Sequence, residues 1–509
     1  MGSILIFEMI NQEESRQKFS QYLEQTGEVG FIEKVQHPIA HVSGIPGVGV
    51  WEVVYSENGY MGVVMALAGD FAEVLLFTNE MMLVGTKVCR TGRPLEIGVG
   101  ESLLGSVIDP LGFSLKDGVV TPGLIEKRGI DIPPPGIDIR ERVREPLETG
   151  LSMVDFLIPL GKGQRELVIG DRNIGKTTFV MQAMLSQAKK GAVCIYAGIG
   201  KKKHSIKEVE MFLWGHGISR NSVIVGASSS DPIAEIYIAP YTAMTIAEYF
   251  CSKGRDVLLI LDDLTNHAKY YREMSLISKK FPGRDSYPGD VFYAHARLLE
   301  RAGNYKLADG KTAAITCLPV CETIGGDISG YIQTNLMSIT DGHIFFDQDL
   351  YKAGKRPAIN YFLSVTRVGR QTQSKVRWGI NRELSSFMVL HSKTERFIHF
   401  GAEINEGIKS TLEMGDNINF FFDQALEEIL SINVQIILFT LIWTGILKEE
   451  SEGKIKFYIT QAQKLYDKDE NFRISMDEII NSCSDFNQLL GKVSAKYKDI
   501  LAILDKAVI

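Results

Sequence analysis

Gly170-Asp171-Arg172-Asn173-Ile174-Gly175-Lys176-Thr177 decides the reading of this chain, because it fits the spacing G-x-x-x-x-G-K-[ST]. The apolar run Glu166-Leu167-Val168-Ile169 precedes it, and the amphipathic stretch from Thr177 and Thr178 to Lys190 follows. That order predicts a buried strand, a glycine loop and a helix. Glycines at 170 and 175 let the backbone wrap closely around a phosphate, and successive N–H groups at the helix N-terminus then point at the anion. Lys176 supplies a cation to the outer phosphates, and the Thr177 hydroxyl is a ligand for Mg²⁺. The pattern points to a bound nucleoside triphosphate such as ATP, or its diphosphate product ADP, with Mg²⁺.

On both sides of the loop, residues 150–370 alternate continuous apolar runs with helical segments: ELVIG, AVCIYAGI, SVIVGAS, DVLLILDD, AAITCLPV and HIFFD. Parallel strands covered on both faces read this way. One of these runs ends in Asp262, where an unpaired carboxylate is costly, so we expect it to hold the metal's water shell, with Asp263 sharing the work. Hydrolysis would need a group that orients the attacking water. The expected place for it, Gly198 to His204 after the second strand, holds Lys201, Lys202, Lys203 and His204 but no carboxylate. A protonated lysine is no general base. The expectation is a site that binds nucleotide without turning it over.

The flanking regions have other textures. Residues 27–96 alternate short apolar runs with Gly, Asn and Asp, as the strands of a small β-barrel do. Residues 108–137 are rich in Gly and Pro and read as a connector. From residue 373 helical periodicity takes over, which predicts an α-helical bundle. The fold class is therefore multi-domain: an extension (1–26), a β-barrel (27–96), an α/β nucleotide-binding domain (97–372) and a helical domain (373–509). The apolar run Leu430–Leu447 is interrupted by Ser431, Asn433 and Gln435 and is expected to be a buried bundle helix, not a membrane span. With 55 Lys+Arg against 62 Asp+Glu the net charge is −7, so a general nucleic-acid partner is not expected. The six scattered cysteines form no Cys-x-x-Cys and read as reduced, buried thiols. The N-terminus has no cationic segment of a secretory signal.

Three segments carry a family resemblance: 144–178, 256–303 and 318–369. They resemble the alpha subunit of the soluble head of F-type ATP synthases, densely over 140–380 and more weakly outside. The resemblance implies an N-terminal barrel, a RecA-like centre and a C-terminal bundle. It implies a hexamer in which three such chains alternate with three beta-like catalytic partners around a central gamma-like shaft. It further implies that Lys176 and Thr177 hold phosphate and magnesium, that Asp262 serves the metal through water, and that Arg367 acts as a finger in the partner's catalytic site. Tyr351, Arg356, Pro357 and Gln424 match the adenine pocket, and the loop Pro282–Asp290 matches the segment facing the shaft. A cytoplasmic location at the inner face of the cell membrane follows from the same resemblance, with membrane or cytoskeletal attachment through other subunits.

The chain also departs from that pattern. Asn173-Ile174 replaces Gln-Thr, Lys201 replaces the Gln after the second strand, Leu426 replaces a second adenine glutamine, and 385–398 reads as an extra stretch. A lysine beside the phosphates is expected to tighten nucleotide binding or slow its exchange. Such drift resembles the divergent F-type-like ATPases of mycoplasmas, one kind of which is linked to gliding. Three other readings compete: an adaptor with a vestigial nucleotide site, a self-sufficient secretion-type hexameric ATPase, and an RNA translocase. The missing carboxylate argues against the second, and the lack of a basic-aromatic stripe in the barrel strands argues against the third.

Overall fold

The computed structural model describes residues 2–399, 406–448 and 450–506. Parts of the helical segment (400–405, 449 and 507–509) and the first residue of the extension lie outside them. The extension forms the helix Gly2–Thr26. Six strands follow: Val29–Gln36 (β1), Ile39–Ser43 (β2), Glu52–Ser56 (β3), Met61–Ala68 (β4), Phe71–Leu76 (β5) and Lys87–Pro94 (β6). They close an antiparallel barrel in the order β1-β2-β5-β4-β3-β6. Ile32, Val42, Val54, Val64, Val74 and Val88 fill its interior, the inward half of a period-two pattern. Closure removes the exposed sheet edges that a strand-rich segment would otherwise carry.

The chain divides into two compact units, the first comprising 1–141, 191–323 and 327–340, the second 142–190, 324–326 and 341–509. The first holds the helical extension, the barrel and a parallel sheet. In that sheet Thr312–Glu322, Val257–Asp262, Val193–Lys201, Ser222–Ser228 and the short Val107–Ile108 lie side by side. Every residue of Val257–Asp262 and of Ser222–Ser228 is buried, the burial that the continuous apolar runs predicted. The connector holds more structure than its composition indicated. Glu126–Gly129 pairs antiparallel with Glu96–Val99, and Ile130 is fully buried beyond it. The polar sequence Glu-Lys-Arg-Gly hides this strand, because backbone pairing needs no apolar alternation.

The second unit pairs Glu166–Gly170 in parallel with Gly342–Phe346, whose other edge takes Val365–Thr366 antiparallel. Its C-terminal helices run Lys375–His399, Glu406–Phe422, Ile432–Trp443, Glu452–Lys468, Glu470–Asn481 and Phe486–Lys506. The apolar run predicted as a bundle helix is Ile432–Trp443, buried from Val434 to Ile442. Phe439 packs there against Phe156, Trp443 and Phe486. No helix among the described residues is long and apolar enough to cross a membrane. The stretch 385–398 continues the helix that begins at Lys375. The fold is thus an N-terminal six-stranded barrel, a central α/β nucleotide-binding domain and a C-terminal helical region.

Candidate functional site

In the second unit the strand Glu166–Gly170 is wholly buried, and the chain leaves it through the glycine loop. Gly170 is required by a close approach: a Cβ there would stand 2.6 Å from the Phe346 carbonyl oxygen and 2.8 Å from Ile174 Cδ1. Gly175, with φ of 100°, turns the loop into the helix Lys176–Lys189 and caps it without a side chain. The helix therefore presents N–H groups that no N-cap side chain satisfies, the usual seat of an anion. Asn173 takes a left-handed φ of 61°, which its short amide tolerates better than most side chains. Arg172 and Asn173 are exposed, Ile174 is buried, and Thr177 and Thr178 are half-buried at the first turn.

Lys176 is buried, and its ammonium donates to the Gly170 carbonyl at 2.7 Å and to the Asp171 carbonyl. The Asp171 carboxylate accepts from the Gly326 N–H at 2.9 Å, which ties the loop down from outside. A loop that admits no Cβ at Gly170, a cation folded onto it and a helix start without a side-chain cap together fit a polyphosphate.

The residues matched to the adenine pocket also gather in this unit. The Arg356 guanidinium lies 3.8 Å from the centre of the Tyr351 ring and donates to the Tyr351 carbonyl at 3.0 Å. The Arg356 carbonyl accepts from the Gln424 N–H at 3.0 Å, bringing Arg356-Pro357 and Gln424 together. Gln424 is buried and its amide is engaged by backbone. Its oxygen accepts from Ser152 N at 2.7 Å, and its nitrogen donates to Gly150 O at 3.1 Å and Glu428 O at 2.9 Å. Arg367 follows the strand Val365–Thr366 with an exposed side chain, while its own N–H donates to the Asp341 carbonyl at 3.0 Å.

In the first unit, strands Val193–Lys201 and Val257–Asp262 run in register, with Gly198 opposite Asp262. The register against Ser222–Ser228 slips between Ile199 and Lys201, a bulge at Gly200. The bulge turns Lys201 inward while Lys202, Lys203 and His204 remain exposed. Lys201 Nζ lies 2.6 Å from Asp262 Oδ1 and 3.0 Å from Asp263 Oδ2. The Tyr196 hydroxyl donates to Asp262 Oδ2 at 2.8 Å. Asp263 Oδ1 accepts from Asn266 N at 2.7 Å and caps the helix Leu264–Ile277. Burial works against the Lys201 charge, but Asp262 and Asp263 outweigh it and push its pKa above the ordinary lysine value, so the ammonium stays protonated. Burial, with Asp262 adding to it, also raises the Asp263 carboxyl, and Lys201 opposes both.

Magnesium fits the Thr177 hydroxyl, a hard oxygen donor at the start of the helix. At Asp262, Oδ2 accepts from the Tyr196 hydroxyl and Oδ1 lies 2.6 Å from the Lys201 ammonium. Sequence reasoning missed the Tyr196 bond and the Lys201–Asp263 contact. The available signals were a phenol in an otherwise apolar buried strand and a doublet of acids at a strand end.

The sequence pattern of the ATP synthase alpha/beta family, nucleotide-binding domain, matches residues 150–366. The chain is 40% identical over 434 residues to the ATP synthase subunit alpha of Dictyoglomus thermophilum, with 84% of each protein covered. It is equally 40% identical to that of Dictyoglomus turgidum, again over 84% of each. At that identity and coverage, with the phosphate loop and barrel in place, the chain belongs to the ATP synthase alpha subunit family.

Proposed function

We propose that this chain is the nucleotide-holding, non-catalytic member of an alternating hexamer of three alpha-like and three beta-like chains around a gamma-like shaft. The observation that carries the reading is the turn after the second strand. It offers Lys201 to Asp262 and Asp263 where a hydrolase would offer a carboxylate to water. On this reading the glycine loop, Lys176 and Thr177 hold the phosphates of ATP or ADP and the Mg²⁺ bound to them. Tyr351, Arg356 and Pro357 border the base, and Gln424 positions the loop behind it.

Arg367 supplies a guanidinium to the beta-like partner's catalytic site, where it offsets the charge that develops in phosphoryl transfer. Its exposure at a strand end supports this role. The departures at Asn173, Ile174, Lys201 and Leu426 support a place among the divergent mycoplasma-type ATPases, gliding-linked ones included. The location proposed with it is the cytoplasmic face of the cell membrane.

The test is ATP turnover and retained nucleotide, first for the chain alone and then with its beta-like partner. Retention without turnover alone, and turnover in the complex that falls about 10³-fold in Arg367→Ala, is the expected result. Rapid turnover by the chain alone would instead make it a self-sufficient ring ATPase. Turnover of the complex that ignores Arg367 would make it an adaptor.

A further inference from the structure

The helix Lys375–His399 of the second unit has two faces of opposite character. Val376, Ile380, Leu384, Met388 and His391 are buried along one of them. Two close approaches seat that face. A Cβ at Gly379 would meet Phe486 Cβ at 2.8 Å, and a Cβ at Gly415 of the next helix would overlap the His391 ring. A helix packed that closely cannot roll, so the residues on its outer face are fixed in direction.

The outer face repeats every eleven residues. Lys375, Trp378 and Arg382 begin it, and Ser386, Val389 and Lys393 continue it at the same spacing. Phe397 opens a third repeat, and each of these residues is exposed. Eleven residues in three turns, about 3.67 per turn, keep such side chains on one nearly straight line. From Lys375 to Phe397 that line rises about 33 Å. No carboxylate falls on it, and Arg396 adds a further exposed cation beside it. A groove of about 400 Å³ opens next to the first repeat, lined by Lys375, Trp378 and Arg382 and by Asp485 and Phe486 across from them. The Arg382 guanidinium lies 5.6 Å from the centre of the Trp378 ring, and Glu383 pairs with Arg382 at 2.8 Å from the side.

We propose that this seam docks an acidic amphipathic helix of another chain, laid along Lys375–Phe397. The inference is independent of the nucleotide reading. The occupant follows from complementarity. Trp378, Val389 and Phe397 alternate with Lys375, Arg382 and Lys393, so a helix with apolar residues and carboxylates in the same rhythm meets both sets at once. The groove beside Trp378 admits one of its apolar side chains as an anchor. Two other anionic surfaces match the seam less closely. A membrane of anionic lipid is broad, and it would press its charge against Glu383 and Asp485 at the rim. Single-stranded RNA needs aromatic rings at base spacing, whereas Trp378 and Phe397 stand at opposite ends of the seam with aliphatic Val389 between them.

The experiment uses the full chain and a fluorescein-labelled helical peptide of about 22 residues, long enough to span the seam. Leu and Glu occupy one face of the peptide at the eleven-residue spacing, Ala and Gln fill the rest, and a control peptide carries Lys in place of Glu. Fluorescence anisotropy is expected to show the Glu peptide binding, more weakly as salt rises, and the Lys peptide not binding. Arg382→Glu combined with Lys393→Glu should weaken the Glu peptide about tenfold or more and accept the Lys peptide instead. Trp378→Ala should cost about tenfold. Equal binding of the two peptides, or no binding of the Glu peptide, would overturn the proposal on the wild-type chain alone, even if the double variant failed to fold. Affinity for the Glu peptide that ignores the charge reversal would overturn it as well. Capture of the chain by phosphatidylserine vesicles or by poly(U), undisplaced by the Glu peptide, would give the seam a different occupant and overturn it too.

Discussion

Gly170 shows how narrow the tolerance of the phosphate loop is. A methyl group there would sit 2.6 Å from the Phe346 carbonyl oxygen and 2.7 Å from Phe346 Cβ, neither of which can move without shifting a buried strand. Gly170→Ala should cost about 2 kcal/mol in urea unfolding and should abolish mant-ADP binding. His267 carries a second prediction. It is fully buried, with Nε2 3.0 Å from the Tyr237 carbonyl and Nδ1 3.2 Å from His295. Burial pulls its pKa from the ordinary 6.5 down to about 4. The unfolded chain then binds a proton between those values that the folded chain cannot, so stability falls as pH falls through that window. Between pH 7 and pH 5 the loss from His267 should be roughly 2 kcal/mol, read from urea midpoints, and His267→Gln should flatten that part of the slope.

The helical elements are held by polar groups that composition does not reveal. Asp155, buried in the short helix Ser152–Leu157, accepts from Thr149 N at 2.7 Å, Thr149 Oγ1 at 2.8 Å, Gly150 N at 3.0 Å and Gln435 Nε2 at 2.9 Å. It joins the loop before the phosphate-binding strand to the helix Ile432–Trp443. Asp155→Ala would strand several donors in the core and should lower unfolding free energy by about 3 kcal/mol. Asp469 caps Glu470–Asn481 by accepting from Asn471 N at 2.9 Å and Phe472 N at 3.2 Å. Asp469→Ala should cost only about 1 kcal/mol, because water can replace an exposed cap. A comparable loss in both variants would show that Asp155 is no more than a local cap.

For the molecule as a whole, charge and surface decide what it can meet. With a net charge of −7 and no basic-aromatic stripe in the barrel strands, it should not shift a fluorescent single-stranded RNA even at low ionic strength. Salt-sensitive binding would revive the RNA-translocase reading. The loop Pro282–Asp290, matched to the shaft-facing segment, is exposed around the turn Arg284–Ser286, and Phe281 before it is 94% exposed.

Much of this protein was legible along the chain. Barrel, α/β centre and helical end follow from periodicity, because burial on one face or two imposes its own spacing of apolar residues. The phosphate loop follows from two glycines, a lysine and a threonine, because only those residue types let a backbone wrap an anion and feed a helix. The short strand Glu126–Gly129 escaped, since its stability lies in backbone pairing with Glu96–Val99 and not in its side chains. Lys201 was visible as a charge at the end of the second strand, but its partners were not. Only the tertiary structure, through a bulge at Gly200 and the in-register neighbouring strand, decides that this ammonium meets Asp262 and Asp263. Gln424 likewise becomes a backbone clamp only when residues hundreds of positions away supply its donors and acceptors. Periodicity and motif are local properties that a linear sequence records. Which charge compensates which is settled by long-range packing, which it does not record.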